Sequence, residues 1–111
     1  MPVRIVEYLD AVGRSPFAGW FDGLDSTAAA KITVALTRFE LGNLSNVKSI
    51  SAGVLEYRIN FGPGYRIYFG RQGDELIVLL AGGTKSQQQR DIERAHARWA
   101  DYKKRRAHRE R

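Results

Sequence analysis

The feature that most constrains the fold of this 111-residue chain is a change of hydrophobic period near Val47. Before that point, apolar residues recur every three or four positions, which is the spacing of one helix face. After it, apolar and polar residues alternate, which is the spacing of a strand with one buried face. No linker-like segment separates the two blocks. This arrangement predicts a single α+β domain over residues 1–111.

Capping and turn signals predict where the first elements lie. Val3–Tyr8 is rich in β-branched and aromatic residues and predicts a strand. Ser15-Pro16 predicts the start of a first helix and Asp25-Ser26 the start of a second, since both pairs open with a residue that caps helix N-termini. Gly42-Asn43 predicts the end of the second helix. The two helices form a predicted hairpin with one apolar side.

The second half of the chain predicts four strands and a last helix. Val54–Phe61 alternates in polarity, whereas Glu75–Ala81 is nearly continuous aliphatic sequence and predicts a strand near the sheet centre. Ser86 and Gln89 predict a capping box at the start of a third helix. The apolar stripe of that helix is Ile92, Ala95, Trp99 and Tyr102.

The resulting order, β-α-α-β-β-β-β-α, predicts an α+β fold class. In this fold the helical hairpin packs on one face of an antiparallel-rich twisted sheet. We expect the other sheet face to be partly open. We also expect the C-terminal helix to give way to a basic tail at about residues 103–111.

The turn between two of the alternating strands predicts their register. A three-residue loop, Gly62-Pro63-Gly64, pairs Phe61 with Tyr65 and keeps the apolar residues of both strands on one face. The same register makes Arg58 and Arg66 diagonal neighbours on the other face, roughly 7–8 Å apart. Two guanidinium groups at that spacing can bind one phosphate together.

The polar face of these strands predicts a catalytic cluster of Arg58, Arg66 and Lys85. Such a cluster would stabilise the negative charge that develops on a phosphate attacked by an RNA 2′-hydroxyl. Glu56 and Tyr68 share the face and are predicted to contact the substrate, with Glu56 as a candidate base. A charged ladder on an exposed sheet face is the alternative interpretation, and spacing alone slightly favours it.

The net charge of +6 lies entirely in the last eighteen residues, where eight Lys and Arg residues accompany two carboxylates. This block suits a phosphate backbone, ribosomal RNA or an acidic partner. It supplies Arg105 and Arg106 as predicted substrate contacts. A solvated tail without a partner explains the charge equally well.

Composition argues against several kinds of site and location. Cysteine is absent, which excludes disulfides and thiolate chemistry, and His96 and His108 lack the spacing of a zinc-binding pair. We therefore expect no metal and no cofactor. No apolar run is long enough to span a membrane, and the N-terminal MPVRIVEYLD lacks the organisation of a signal peptide. We expect a cytoplasmic protein.

Two stretches carry a resemblance to known proteins: VLEYRINFGPGYRIYF and LLAGGTKSQQQRDIERA, followed by Trp99, Tyr102 and Lys103. They resemble the RelE/ParE superfamily and, within it, the HigB-like addiction-module killer proteins. The resemblance implies a RelE-like fold, which has the order of elements predicted above. The resemblance implies a type II toxin that is neutralised by a small helix-turn-helix antitoxin. It further implies an mRNA interferase, an endoribonuclease that cleaves messenger RNA on the ribosome without a metal ion. Operator DNA is implied as a partner only through the antitoxin complex.

The resemblance also assigns residues. Arg66 corresponds to a phosphate-contacting arginine, Lys85 occupies a position where relatives carry a basic residue, and Arg58 lies on a strand that supplies further cations. RelE itself uses a late tyrosine, where this chain has the segment Arg90-Asp91-Ile92. Two alternatives stay open: a ParE-like gyrase poison without enzymatic activity, and a nucleic-acid-binding module that acts only through residues 94–111.

Overall fold

The computed structural model describes residues 3–109 and confirms the predicted order of elements. The five strands are β1 (Arg4–Glu7), β2 (Val47–Ser51), β3 (Val54–Ile59), β4 (Tyr65–Gln72) and β5 (Leu76–Thr84). The three helices are α1 (Pro16–Asp22), α2 (Ser26–Glu40) and α3 (Gln88–Arg109), and a 3-10 turn (Lys85–Gln87) leads into α3.

The helix starts follow the predicted caps in two cases of three. The Ser15 hydroxyl accepts a hydrogen bond from the Ala18 N–H at 3.0 Å, and the Asp25 carboxylate accepts one from the Ala28 N–H at 2.8 Å. The capping box predicted at Ser86 and Gln89 is wrong. Ser86 lies inside the 3-10 turn, so its hydroxyl is not at the N-cap of α3 and instead lies 3.2 Å from the Thr84 hydroxyl.

The sheet has five strands in the order β1-β5-β4-β3-β2. The first strand runs parallel to β5, and the other three pairings are antiparallel, so the sheet is mixed but rich in antiparallel pairs as predicted. The aliphatic run Glu75–Ala81 lies mostly in β5, one strand away from the central β4. That strand continues through Gly82 and Gly83 to Thr84, past its predicted end.

Helices cover both faces of the sheet, which corrects the expectation of a partly open face. The hairpin of α1 and α2 packs on one face, where Phe17, Ile32 and Phe39 join the side chains of β3, β4 and β5. On the other face α3 packs through Ala95 and Trp99. The stripe predicted on this helix needed an apolar surface to bury it. The second face of the sheet supplies that surface.

The predicted basic tail is helical over residues 103–109, and residues 110–111 lie outside the described part of the chain. With 22 residues, α3 is about 33 Å long at 1.5 Å per residue. Its two ends therefore lie in different regions of the molecule.

Gly82 provides a test of the packing between α1 and the sheet. A Cβ atom at this position would lie 2.0 Å from the Trp20 ring, so Gly82→Ala is expected to lower the free energy of unfolding by about 1–3 kcal/mol through overpacking. Gly19→Ala on α1 is the control, because a Cβ there meets nothing within 4 Å and is expected to raise that free energy by about 0.5–1 kcal/mol. Urea unfolding measures both changes. Equal effects of the two substitutions would contradict the packing.

Candidate functional site

The register of β3 and β4 differs from the prediction by two residues. Ile59 pairs with Tyr65 and Arg58 with Arg66, whereas the prediction paired Phe61 with Tyr65. The faces are as predicted, but the connection between the strands runs over residues 60–64 and is longer than expected. The physical reason is a tight turn: the Phe61 N–H donates to the Ile59 carbonyl at 2.9 Å, which takes Phe61 out of the strand pairing.

Arg58 and Arg66 are consequently directly opposite rather than diagonal neighbours. Like charges in directly opposite positions destabilise a sheet unless something compensates them. The compensating group is Glu56, which lies two residues before Arg58 on the same face of β3. These three residues form the core of the candidate site.

Glu56 is fully buried, and its carboxylate has three polar neighbours. Its carboxylate accepts hydrogen bonds from Arg58 Nε at 2.7 Å and from Gln88 Nε2 at 2.9 Å. Arg66 Nε lies 3.6 Å away. Burial pushes the pKa of Glu56 up, but these hydrogen bonds and the two positive charges outweigh it and hold the pKa below its ordinary value. The carboxylate is therefore a charged counter-ion and a poor proton acceptor.

The two arginines differ in how far solvent reaches them. The Arg58 side chain is 46% exposed, whereas that of Arg66 is 6% exposed. Arg66 Nη1 donates to the Gly64 carbonyl at 3.0 Å, and its Nε has no hydrogen-bond partner among the described residues. Arg66 thus ties the 60–64 connection to Glu56. Arg58 presents its guanidinium at the surface.

Lys85 lies at the same end of the sheet. Its N–H donates to the Pro63 carbonyl at 3.4 Å, and its side chain is exposed. A Cβ atom built on Gly64 would be 3.4 Å from Arg66 Nη1 and 3.5 Å from Lys85 Cβ, so both residues border the same small space. The three residues predicted as catalytic therefore lie at one end of the sheet, with Arg58 opposite Arg66 and Lys85 beside the Gly64 turn.

Tyr68 and Asp91 are buried on the α3 side of the sheet. The Tyr68 hydroxyl and Asp91 Oδ2 have no hydrogen-bond partner among the described residues. Burial and the negative charge of Glu56 raise the pKa of Tyr68, and burial raises that of Asp91 against the pull of neighbouring arginines. Neither Tyr68 nor Glu56 is exposed, so the direct substrate contact predicted for both is not available in this conformation.

The structure does not bring Arg105 and Arg106 to this cluster. Arg105 lies near the far end of α3, where it contacts Asp101, donates to the Leu9 carbonyl at 2.6 Å and places its guanidinium 5.3 Å from the centre of the Tyr8 ring. Arg106 Nη1 lies 3.5 Å from the Tyr102 hydroxyl. Arg105 lies seventeen positions after Gln88 on α3, so about 25 Å separates the two regions.

Sequence reasoning missed Gln88 and Asp91 as members of the buried polar group. Gln88 directly precedes Gln89, which was the residue predicted to complete the capping box with Ser86. Asp91 packs on Gly83, where a Cβ atom would lie 1.9 Å from its Oδ2. Glycine inside a strand marks a close approach of another group, so the Gly82-Gly83 pair was the available signal for a polar side chain from α3.

Among the described residues, no group of three or more His, Cys, Asp or Glu side chains is arranged to hold a metal ion. The same part of the chain contains no helix with the length and hydropathy needed to cross a bilayer.

Comparison with known proteins gives two matches. The profile of the family described as phage derived protein Gp49-like (DUF891) matches residues 19–104. A relative from Haemophilus influenzae, described as an uncharacterized protein, is 41% identical over 80 residues. The aligned part covers 71% of this chain and 81% of the relative.

Proposed function

Since the chain belongs to the phage-derived Gp49-like family, a toxin-like family of the addiction-module type, we propose that it is the toxin of a type II system and cleaves messenger RNA. The finer assignment to the HigB-like group, with a RelE-type fold, is part of this proposal. Such a toxin pairs with an antitoxin, for which a helix-turn-helix protein is the proposed partner. Its proposed place of action is the translating ribosome in the cytoplasm.

The observation that carries the proposal is the cationic cluster at one end of the sheet. Glu56 is the counter-ion of Arg58 and Arg66, and Lys85 borders the same turn through Gly64, so these four side chains together carry a net positive charge. Arg58 and Lys85 are exposed and can approach a phosphate, while Arg66 is buried and positions the connection that borders it. This is the arrangement expected of a site that binds a phosphodiester.

The proposed chemistry is an attack of the RNA 2′-hydroxyl on the adjacent phosphorus. The bond to the 5′-oxygen of the next nucleotide breaks, and a 2′,3′-cyclic phosphate remains. The 2′-hydroxyl gives its proton to water, and the departing 5′-oxygen takes one from water, so that a 5′-hydroxyl is released. Negative charge rises on the phosphate oxygens during this step, and Arg58 and Lys85 stabilise it. The low pKa of Glu56 argues against its action as general base, so the role proposed for these side chains is electrostatic.

The remaining partners are assigned to the other end of the molecule. Residues 103–109 carry a high density of Lys and Arg on a helix that projects away from the cationic cluster. We assign this segment, with Arg105 and Arg106, to contacts with ribosomal RNA. Operator DNA would be reached only through the antitoxin complex.

Mapping of messenger RNA 5′ ends after induction of the protein tests the proposal. Discrete breaks within translated frames are the expected result, with the same breaks when purified ribosomes and the purified protein are combined. DNA damage without RNA breaks would contradict the nuclease and favour gyrase poisoning. Loss of all toxicity when Lys103, Lys104 and Arg106 are replaced by glutamine, with Arg58 and Lys85 dispensable, would favour simple nucleic-acid binding.

A further inference from the structure

A second basic feature lies on the opposite side of β3 from Glu56, in a groove between α2 and the end of that strand. The groove has a volume of about 360 Å³. Its walls are the α2 face that carries Lys31 and Arg38, and the segment from Tyr57 to Phe61. We call it the α2–β3 groove. A volume of this order lies at the lower end of the range for small-molecule sites, roughly 300–1,000 Å³.

The groove is cationic. Lys31, Arg38 and Arg58 line it, and none of its lining residues is acidic. Among the residues that the structure describes, neither Lys31 nor Arg38 forms an ion pair with a carboxylate. Two cations without counter-ions that flank one concavity favour an anionic ligand.

The groove also has an aromatic wall. Lys31 Nζ lies 5.1 Å from the centre of the Phe61 ring, and this ring is only partly buried against the core. Asn46 and Asn60 add amide groups. Cations, amides and an aromatic face together are what single-stranded nucleic acid requires, because the cations hold its phosphates and the ring stacks on a base. An acidic peptide would need the cations but not the ring.

Arg58 connects the groove with the cationic cluster. The strand β2 pairs with β3 only as far as Val47 opposite Tyr57, so β3 beyond Tyr57 has no strand on that side. Arg58 lies at this free edge: its side chain contacts Glu56, and the residue also belongs to the lining of the groove. A strand of RNA bound at the cluster can therefore continue around the edge into the groove.

We infer that the α2–β3 groove binds a nucleotide of single-stranded RNA that neighbours the cleaved phosphate. Lys31 and Arg38 hold its phosphate, and its base stacks on Phe61 in place of the lysine ammonium group. This inference rests on the proposed function, since it names how the substrate is held. It assigns a binding role to three residues outside the catalytic cluster.

The test is an NMR titration of the full-length protein with a single-stranded hexanucleotide whose 2′-hydroxyls are methylated, so that it cannot be cleaved. Amide signals of Lys31, Asn60 and Phe61 are expected to shift and saturate. Lys31→Ala combined with Arg38→Ala should weaken binding about tenfold or more and reduce the salt slope by about 1.4, the value for two lost phosphate contacts on a single strand. Phe61→Leu should weaken binding about fivefold or more through lost stacking.

The control removes the same charge from the opposite end of the sheet. Arg4 and Arg71 lie on strands β1 and β4 where these meet the start of β5, and neither lines the groove. Arg4→Ala combined with Arg71→Ala should leave binding within about twofold. An equal loss in this control would show that only net charge matters and would overturn the inference.

Three further outcomes would also overturn it: no shift of the groove amides by the hexanucleotide, unchanged affinity of the Lys31 and Arg38 double variant, or equally tight binding of hexaglutamate at the same amides. The last result would assign the groove to an acidic protein partner. Because the oligonucleotide is not cleaved, binding and messenger RNA cleavage are measured separately. RNA binding in the groove without cleavage would refute the proposed function alone, and cleavage without groove binding would refute this inference alone.

Discussion

Replacing Arg58 with alanine is expected to lower the rate of messenger RNA cleavage by about 10²–10³-fold, the usual cost of removing one preorganised donor to a developing oxyanion. Arg58 is a better test than Arg66 because its side chain is 46% exposed, whereas that of Arg66 is 6% exposed and ties the 60–64 connection to Glu56. The measurement is the rate at which purified ribosomes programmed with a defined message lose intact RNA.

Arg71→Ala is the matched control for this variant. Its side chain is 39% exposed, it forms one ion pair with Asp74, and it lies at the other end of β4 from Arg66. Cleavage by this control should equal that of the unaltered protein. Lys85→Ala is the companion variant, because Lys85 is exposed and its loss removes charge from the cluster without leaving the buried Glu56 short of a partner. Full activity in both Arg58→Ala and Lys85→Ala would rule out the electrostatic mechanism.

The order of elements was predictable because it depends on local signals. Short stretches of sequence are enough to recognise the caps at Ser15 and Asp25. The same is true of the spacing of apolar residues in each helix or strand, and the structure has both features. The assignment of Arg58 and Arg66 to one face was also correct, because side chains alternate strictly along a strand. Such features need no knowledge of the rest of the chain.

The register and the covering of the second sheet face were not predictable in the same way. A shift of two residues keeps every side chain on its predicted face, so polarity could not distinguish the observed pairing from the predicted one. The turn that decided between them depends on a backbone hydrogen bond from Phe61 to Ile59. Similarly, the apolar stripe on α3 predicted that another part of the protein covers it, but it did not indicate which part.

These two errors concern the site directly. The observed register places Arg58 and Arg66 directly opposite each other, and the position of α3 brings Gln88 onto Glu56. An exposed face with two outward-pointing guanidinium groups was expected. The protein instead has a half-buried cluster in which one arginine organises the site and the other faces solvent. Long-range packing therefore determines which of the predicted residues can contact a substrate.

The buried carboxylate at the centre of this cluster leads to the largest expected effect on stability. Glu56→Ala should lower the free energy of unfolding by about 3–5 kcal/mol, the range for removal of one partner from a buried ion pair. The reason is that Arg66 would remain buried without its counter-ion, and the amide of Gln88 would lose its acceptor. Chemical unfolding at neutral pH measures the change. Glu56→Ala combined with Arg66→Met is the control, since it removes both charges and should recover a substantial part of the loss.

The same contribution should depend on pH with a definite sign. Because the pKa of Glu56 is lowered in the folded protein, its charged form stabilises the fold above the unfolded pKa, about 4.3, and this stabilisation is lost as the pH falls through the folded value. The difference in unfolding free energy between the unaltered protein and Glu56→Ala should therefore shrink as the pH is lowered from about 7 to about 3. Protonation of Glu56 removes the counter-ion of Arg66 just as the substitution does. A difference that stays constant over this range would show that Glu56 stabilises the fold by packing and not by its charge.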